Sequence, residues 1–382
     1  MHRYKAPACG LVTAGAVIAV MLGSGGMASA SISSPATAGP AWTRAYVSPR
    51  GASHNSGGSC LSARFRSINA AITWVRSGGT VVVCRGTYHT QAVIRKPLRL
   101  IGERAVINAK GQKGVLPKVG GSGIVVLMTQ HVAISGFRVT GAGSDAILVA
   151  LSRHVSVTAN VLEHNGDVGV DFNGTSRSIA SHNVSMFNKG GGFLVADDVG
   201  PTRGDTVSWN VASHNPGGCG VIIAGHSKFG VRGNVVAHNL LTDNGTNPKT
   251  PGAGVVIATE VPGETVSGNT VADNRIYGNG IAGVTIHSHL TGQNLSGNRI
   301  IGNWIGRNNV VGDKIGLSAP VTNVPDLRTT GILVGASSHL HVTISGNRIS
   351  RNWYGIFLEG RVSVTLRGNQ FRRVHTPVKV VL

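Results

Sequence analysis

The chain has 382 residues, 55 of them glycine, with 13% charged and 5% aromatic residues. This composition suits a succession of tight turns and argues against a mainly helical protein. The formal net charge is +20, from 35 Lys and Arg against 15 Asp and Glu; such a field favours polyanions such as uronic-acid polysaccharides or wall polymers, and meets nucleic acid only non-specifically.

Residues 1–30 combine a basic start, an apolar run from about Gly10 to Leu22 and a small-residue end at Ala28-Ser29-Ala30. This is the pattern of a signal peptide cleaved after Ala30, so the expected product is secreted, with wall association compatible with its charge. No later stretch approaches the ~20 apolar residues of a membrane span, and no integral membrane segment is expected after cleavage. Loss of Arg3 and Lys5 lowers the charge from +20 to +18. Residues 31–63 are expected to form a flexible lead-in and the start of a cap, the Ser-, Gly- and Pro-rich part being 31–44. Cys9 leaves with the leader, whereas Cys60 and Cys84 flank the next segment and are expected to close a disulfide in an oxidising compartment.

In "SINAAITWVRSGG" (67–79), Ile68, Ala71, Ile72 and Val75 fall on one helical face together with Phe65 just before it, and Gly78-Gly79 reads as the stop. A helix here would cap the open end of a stacked structure. Short strands follow in "TVVVCRGTYHT" (80–90), "KPLRLIGE" (96–103) and "AVINAKG" (105–111).

From about 124 to 371 one phrase returns, with two asparagines five apart: Asn160 and Asn165, Asn183 and Asn188, Asn210 and Asn215, Asn234 and Asn239, Asn269 and Asn274, Asn298 and Asn303, Asn347 and Asn352. A Gly and apolar residues come after the second Asn, as in "GVDF" (169–172), "GVII" (220–223) and "GVTI" (283–286). A unit of 22 to 29 residues cannot bury its own apolar side chains, so the units must stack, ~4.8 Å apart, as rungs of one solenoid. Stacking would place Asn165, Asn188, Asn215, Asn239, Asn274, Asn303 and Asn352 in one structural ladder of amide hydrogen bonds. His164, His214 and His238 would then form a turn column, a source of acid lability. The stretches 240–253 and 312–330 break the period and read as projecting loops.

These repeats, with the opening "SINAAITWVRSGGTVVVCRGTYHTQAVIRKPLRLIG" (67–102), resemble the right-handed parallel β-helix proteins of the pectate lyase-like superfamily. The resemblance covers nearly all of the mature chain. It implies an all-β fold, a right-handed single-stranded parallel β-helix over 64–382 with an N-terminal capping helix, and a monomer. It also implies a carbohydrate-active protein, a lyase or glycoside hydrolase on an acidic polysaccharide. The alternative is a non-catalytic surface protein binding a polyanion or protein partner, since the superfamily holds epimerases and adhesins too.

With the Gly of each "GVxI" as zero, offset two points outward and holds Asp171, Leu194, Ile222, Val256, Thr285, Leu333 and Phe357, a mostly aliphatic column. Offset six brings Asp198, His226, Glu260 and His289 to one edge in successive rungs. Asp198 and Glu260, two rungs and thus ~9 to 10 Å apart, lie near the upper end of the separation that inverting glycosidases use for an acid and a base acting across a water. A lyase would use His226, Lys228 or Arg203 as base, with Ca²⁺ held by Asp197 and Asp198. His287, His289 and Arg203 are the candidates for substrate binding, and His287-Ser-His289 has the alternate spacing of two imidazoles on one side of a strand. The plainer reading of this edge is a solvated turn. "ADDV" (196–199) and "AGHS" (224–227) are weak counterparts of polygalacturonase motifs, but they follow the apolar strand instead of preceding it, and that activity is not assigned.

Overall fold

A computed structural model describes residues 42–51, 56–115, 121–288, 290–311 and 328–381, apart from the side chains of 337–339 and 361. Every strand pairing in it is parallel, and thirty strands join one continuous sheet that winds as a right-handed β-helix. Each rung contributes strands to three faces. The first face carries the long apolar strands Val168–Asn173, Gly191–Ala196, Cys219–Gly225, Val255–Thr259 and Val284–Ser288. The second holds Ile179–Ser181, Thr206–Ser208, Val235–Ala237 and Thr270–Ala272, and the third Val184–Met186, Val211–Ser213, Leu240–Thr242 and Arg275–Tyr277. A side-sheet of three two-residue strands, Thr202–Arg203, Val231–Arg232 and Val266–Ser267, lies between the first and second faces along the chain.

Strand alternation turns the middle residue of each three-residue strand inward, so Leu162, Ser185, Ala212, Leu241 and Ile276 follow one another in a file of fully buried side chains. On the first face Val170, Phe193, Val221, Val255, Val284, Ile332 and Ile356 form an equivalent file. These files make one core that runs the length of the stack.

The asparagines form three ladders instead of the single one expected. One runs Asn160, Asn183, Asn210, Asn239, Asn274, Asn303, Asn347 and Asn369; from Asn183 onward each side chain accepts from the backbone N–H and the amide of the Asn one rung earlier, at 2.9–3.1 Å. A second runs Asn165, Asn188, Asn215, Asn244, Asn279, Asn308 and Asn352. The third joins Ser178, Asp205, Asn234, Asn269 and Asn298. The expected column therefore mixes two ladders: Asn165, Asn188, Asn215 and Asn352 belong to the second, Asn239, Asn274 and Asn303 to the first. Consecutive corners are all five residues apart, so the spacing marks a corner without saying which one.

The residue before nearly every ladder Asn turns the corner in the left-handed region, as at His182, Trp209 and His238, with φ 56°, 58° and 57°. A side chain there costs ~1–2 kcal/mol that the satisfied corner must offset. Pointing outward in register, these side chains stack: His182 on Trp209 and Trp209 on His238, with ring centroids 6.4 and 4.4 Å apart. His164 and His214 flank Phe187 in the neighbouring file. The anticipated column of three histidines is thus two aromatic files in which each histidine meets a Phe or Trp.

At the N-terminal end the helix is only Ile68–Trp74, capped by Ser67, whose hydroxyl accepts from the Ala70 N–H. Ile68, Ala71 and Ile72 enter the common core. Gly78 and Gly79, expected to stop the helix, lie inside the strand Val75–Val83, because Val75 already has extended backbone. A strand at Trp42–Val47 pairs with Val75–Val83, so the parallel stack begins within the stretch that composition marks as a lead-in. Cys60 and Cys84 are bonded, Cα atoms 5.6 Å apart. Of the two expected loops, 240–253 is partly strand, since Leu240–Thr242 pairs on both sides and Asn244 continues a ladder; most of 312–330 lies outside the described residues, as does the leader.

If the ladders bear the corners, removing one amide should cost more than its own contacts. Asn239→Ala leaves the N–H and amide of Asn210 without their acceptor and is expected to destabilise the fold by about 3 kcal/mol in urea unfolding. A loss below about 0.5 kcal/mol would show the ladder to be dispensable.

Candidate functional site

Where the first face ends, the chain turns sharply and the parallel register carries into the turn. Asp198 and His226 occupy equivalent positions in adjacent rungs, and Glu260 follows in the next. Asp198 Oδ1 and His226 Nδ1 are 3.0 Å apart. The other carboxylate oxygen of Asp198 accepts from the amide of Asn173, whose Oδ1 accepts from the Val199 N–H. Asn173 is thus the second support of Asp198, a residue sequence reasoning missed although it precedes Ala196 in the same outward file.

This environment separates the two partners electrically. Burial works against the charged imidazole, but the hydrogen bond and charge of Asp198, then the charges of Glu260 and Glu264, raise its pKa to about 9. Burial likewise works against the Asp198 carboxylate; the His226 hydrogen bond and charge and the Asn173 amide outweigh it and hold the group below its usual range. Burial raises Glu260, against the pull of the imidazolium. His226 Nε2 is buried and has no hydrogen-bond partner. The row therefore presents an imidazolium with an unused N–H, fixed by an ionised aspartate and flanked by a carboxyl raised above the usual range.

More acids surround it. Asp171, Asp145 and Asp167 are all raised, first by burial and then by one another's charge or that of Asp198. Asp171 is the one ionisable group in an outward column otherwise aliphatic or hydroxylic as far as Phe357, which was the signal available in sequence. Glu264 had none: its carboxylate accepts from the backbone N–H groups of Glu260 and Val261 and shapes the turn from which Glu260 projects. Burial lifts Glu264 to about 7.

Asp197 has a different task from the one expected. Its Oδ1 accepts from the N–H groups of His226 and Ser227, and its Oδ2 from the Ser227 hydroxyl and the Gly230 N–H, so it builds the turn 226–230. With Asp198 engaged by His226 and Asn173, the two carboxylates expected to hold Ca²⁺ are divided between a turn and an ion pair. Lys228 is exposed two residues beyond His226. Arg203 is also exposed, but it lines a shallow groove of about 780 Å³ with Arg153, His154 and Arg177, which contains none of the Asp198–His226–Glu260 row. His287 is buried in Val284–Ser288, its position paired with Ala258. His289 lies outside the described residues.

The outward column of the first face is aliphatic as expected but not open: from Asp171 to Phe357 none of its seven residues is more than 6% exposed. The sequence profile of the family described as "Periplasmic copper-binding protein (NosD)" matches residues 105–317, more than half of the chain. Among curated proteins none matches. Among solved structures the chain is similar to the mannuronan C-5 epimerase AlgE4 A-module of Azotobacter vinelandii, with 17% identity over 80% of this chain and 91% of that one, TM-score 0.58. It is similar to the alginate lyase of Paenibacillus sp. str. FPU-7, with 17% identity over 82% and 96%, TM-score 0.53. It is also similar to PfbA, a surface adhesin of Streptococcus pneumoniae, with 13% identity over 81% and 87%, TM-score 0.57. At these identities the likeness is one of fold. The described residues do not fit a copper centre: their one close group of three His, Cys, Asp or Glu donors is Cys60, Cys84 and Glu103, and a disulfide leaves its sulfurs no thiolate. No helix among the described residues is long and apolar enough to cross a membrane.

The buried charges set a pH dependence of definite sign. His226, raised to about 9, contributes stability that is complete below its unfolded value of ~6.5 and is lost as pH rises through about 9. Burial raises Glu264 and Glu359 to about 7 and Asp205 to about 6, so the folded state holds these protons more tightly than the unfolded chain and loses stability as pH rises from ~4 to about 7. Both trends run the same way. The Tm in scanning calorimetry is expected to fall by several degrees between pH 5 and pH 9, and a flat or rising profile would contradict this charge arrangement.

Proposed function

We propose, on the premise that the chain belongs to the NosD family of parallel β-helix proteins, that it is an exported protein that cleaves an acidic polysaccharide at the Asp198–His226–Glu260 row. The observation that carries this reading is the 3.0 Å pair of Asp198 and His226 with a buried, unused Nε2. Groups whose pKa values are driven apart by their surroundings mark acid and base assignments. Export, acidic substrate and cleavage are also what the leader-like N-terminus, the net charge of +20 and the named lyase neighbour support.

Elimination and hydrolysis share one requirement, a proton for the departing glycosidic oxygen. His226, an imidazolium at neutral pH, is the donor through Nε2–H, and Asp198 fixes the ring and steadies its charge. Glu260, made a stronger base by its burial, takes as a carboxylate the proton released on the other side: from the carbon next to the uronate carboxylate in an elimination, or from the attacking water in a hydrolysis. Lys228, at the exposed end of the turn, meets the substrate carboxylate. The copper in the family's description and a Ca²⁺ at Asp197 and Asp198 have no part in these steps.

A second reading, a non-catalytic binder like the adhesin, draws on the covered outward column, since an open polymer groove would leave that face exposed. Incubation with alginate, polygalacturonate and neutral polymers, reading new reducing ends and the ultraviolet absorbance of unsaturated sugars, separates the two. Cleavage is expected, with His226→Gln and Asp198→Asn each lowering turnover by about 10²–10³ while circular dichroism stays unchanged. Undiminished turnover in both variants would remove the assignment, and polymer binding without product would favour the adhesin-like reading.

A further inference from the structure

The third face changes character toward the C-terminal end. In the two rungs before the change the outward positions are Val211, Ser213, Leu240 and Thr242, and the one earlier arginine of this face, Arg138, is paired with Glu163. Beyond them Arg275 pairs with Trp304, Trp304 with Arg348 and Arg348 with Gln370, so the outward file becomes cationic and aromatic. Further arginines stand at the adjoining corner, Arg307 and Arg351 immediately before the ladder residues Asn308 and Asn352. Together they line a concave groove of about 1130 Å³ that holds Arg275, Arg307, Arg348, Arg351, Arg372 and Arg373 and no acid.

All six arginines are exposed, and among the described residues none takes part in a salt bridge. Like charges in register on neighbouring strands repel, so packing alone gives no reason to gather six of them. A bound polyanion would. Arg307, Arg351 and Arg373 occupy one position in three successive rungs and so stand at steps of ~4.8 Å, with Arg275 and Arg348 two rungs apart beside them, the arrangement that a linear polymer with a charge on each residue would meet. Guanidinium forks fit carboxylates two bonds at a time. The exposed ring of Tyr277 offers apolar surface for the sugar between charges. A single-stranded nucleic acid would want open stacking faces, and the guanidinium of Arg275 already lies over the Trp304 ring, 5.4 Å from its centroid.

We infer that this groove is a docking site for a carboxylated polysaccharide, separate from the Asp198–His226 row. It holds the polymer along the helix axis whether or not the chain cleaves it, so it does not rest on the catalytic reading. The ladder carries the file as a rigid comb, so little order needs to be created on binding.

The test compares two triple variants of the whole protein: Arg307→Ala/Arg351→Ala/Arg373→Ala in the groove, and Arg76→Ala/Arg99→Ala/Lys113→Ala, which removes the same charge from exposed positions near the other end. Affinity for polygalacturonate and for alginate is read by affinity electrophoresis in low salt and again in 0.3 M salt, with circular dichroism confirming the fold. The groove variant is expected to lose about tenfold in affinity, the sum of three exposed charge pairs, and to become less salt-sensitive, while the control stays within about twofold. Equal losses in both variants would reduce the effect to net charge and overturn the site, as would a groove variant that binds like the parent. Preference for single-stranded DNA over polyuronate, abolished by the groove variant, would overturn the ligand class. The groove is read by affinity and the Asp198–His226–Glu260 row by turnover, so failure of the catalytic reading and failure of this one are told apart.

Discussion

Stacking rung on rung leaves a problem at every corner, where the chain must turn sharply and the buried N–H and C=O groups of the turn lose their strand partners. The asparagine ladders resolve it. Most ladder amides accept two hydrogen bonds from the rung before and donate to the rung after and to a backbone carbonyl, as Asn239 does with Asn210, Asn274 and Val207. A buried polar group left unpaired costs about as much as several good contacts gain, so these corners fix the register. Once the register is fixed, every strand position becomes a file, and the chemistry of a file is whatever one sequence position carries from rung to rung.

The two candidate sites are consequences of that geometry. At the end of the first face, register brings Asp198, His226 and Glu260 into succession; burial then separates their proton affinities, because a carboxylate and an imidazolium removed from water can stay charged only by facing each other. On the third face register lines up arginines without acids, and exposure lets them remain charged and unpaired. One principle, equivalent positions repeated along a stack, thus yields a buried pair suited to proton transfer and an open cationic groove suited to adhesion. A chain with only 15 acidic residues places Asp145, Asp167, Asp171, Asp197, Asp198, Glu260 and Glu264 around the first, while the second has none.

The family match and the structural neighbours agree on the β-helix and differ in what their names describe: copper binding, alginate chemistry and adhesion. The solenoid explains the spread. Its stability resides in inward files and corner ladders, which constrain neither the outward files nor the turns, so the function is written in positions the fold leaves free. Here those positions carry an ion pair and arginines. The sulfur and imidazole donors among the described residues do not converge as a copper site would need.

The sequence by itself determined the repeat, the parallel β-helix, the inward and outward faces of the long strands and the Cys60–Cys84 bond, because each follows from local spacing and alternation. It also put Asp198, His226 and Glu260 in successive rungs, since they lie at a constant offset from a strand that pairs in register. Only the tertiary structure decided which corner each asparagine occupies, because five-residue spacing is the same at all of them. It alone assigned Asp197 to a turn and Asp198 to His226, since two adjacent carboxylates look alike until their neighbours 28 to 30 residues away arrive. It alone gathered Arg275, Arg307, Arg348 and Arg372: between 22 and 44 residues separate equivalent positions in these rungs, and no local pattern joins them until the rungs are stacked.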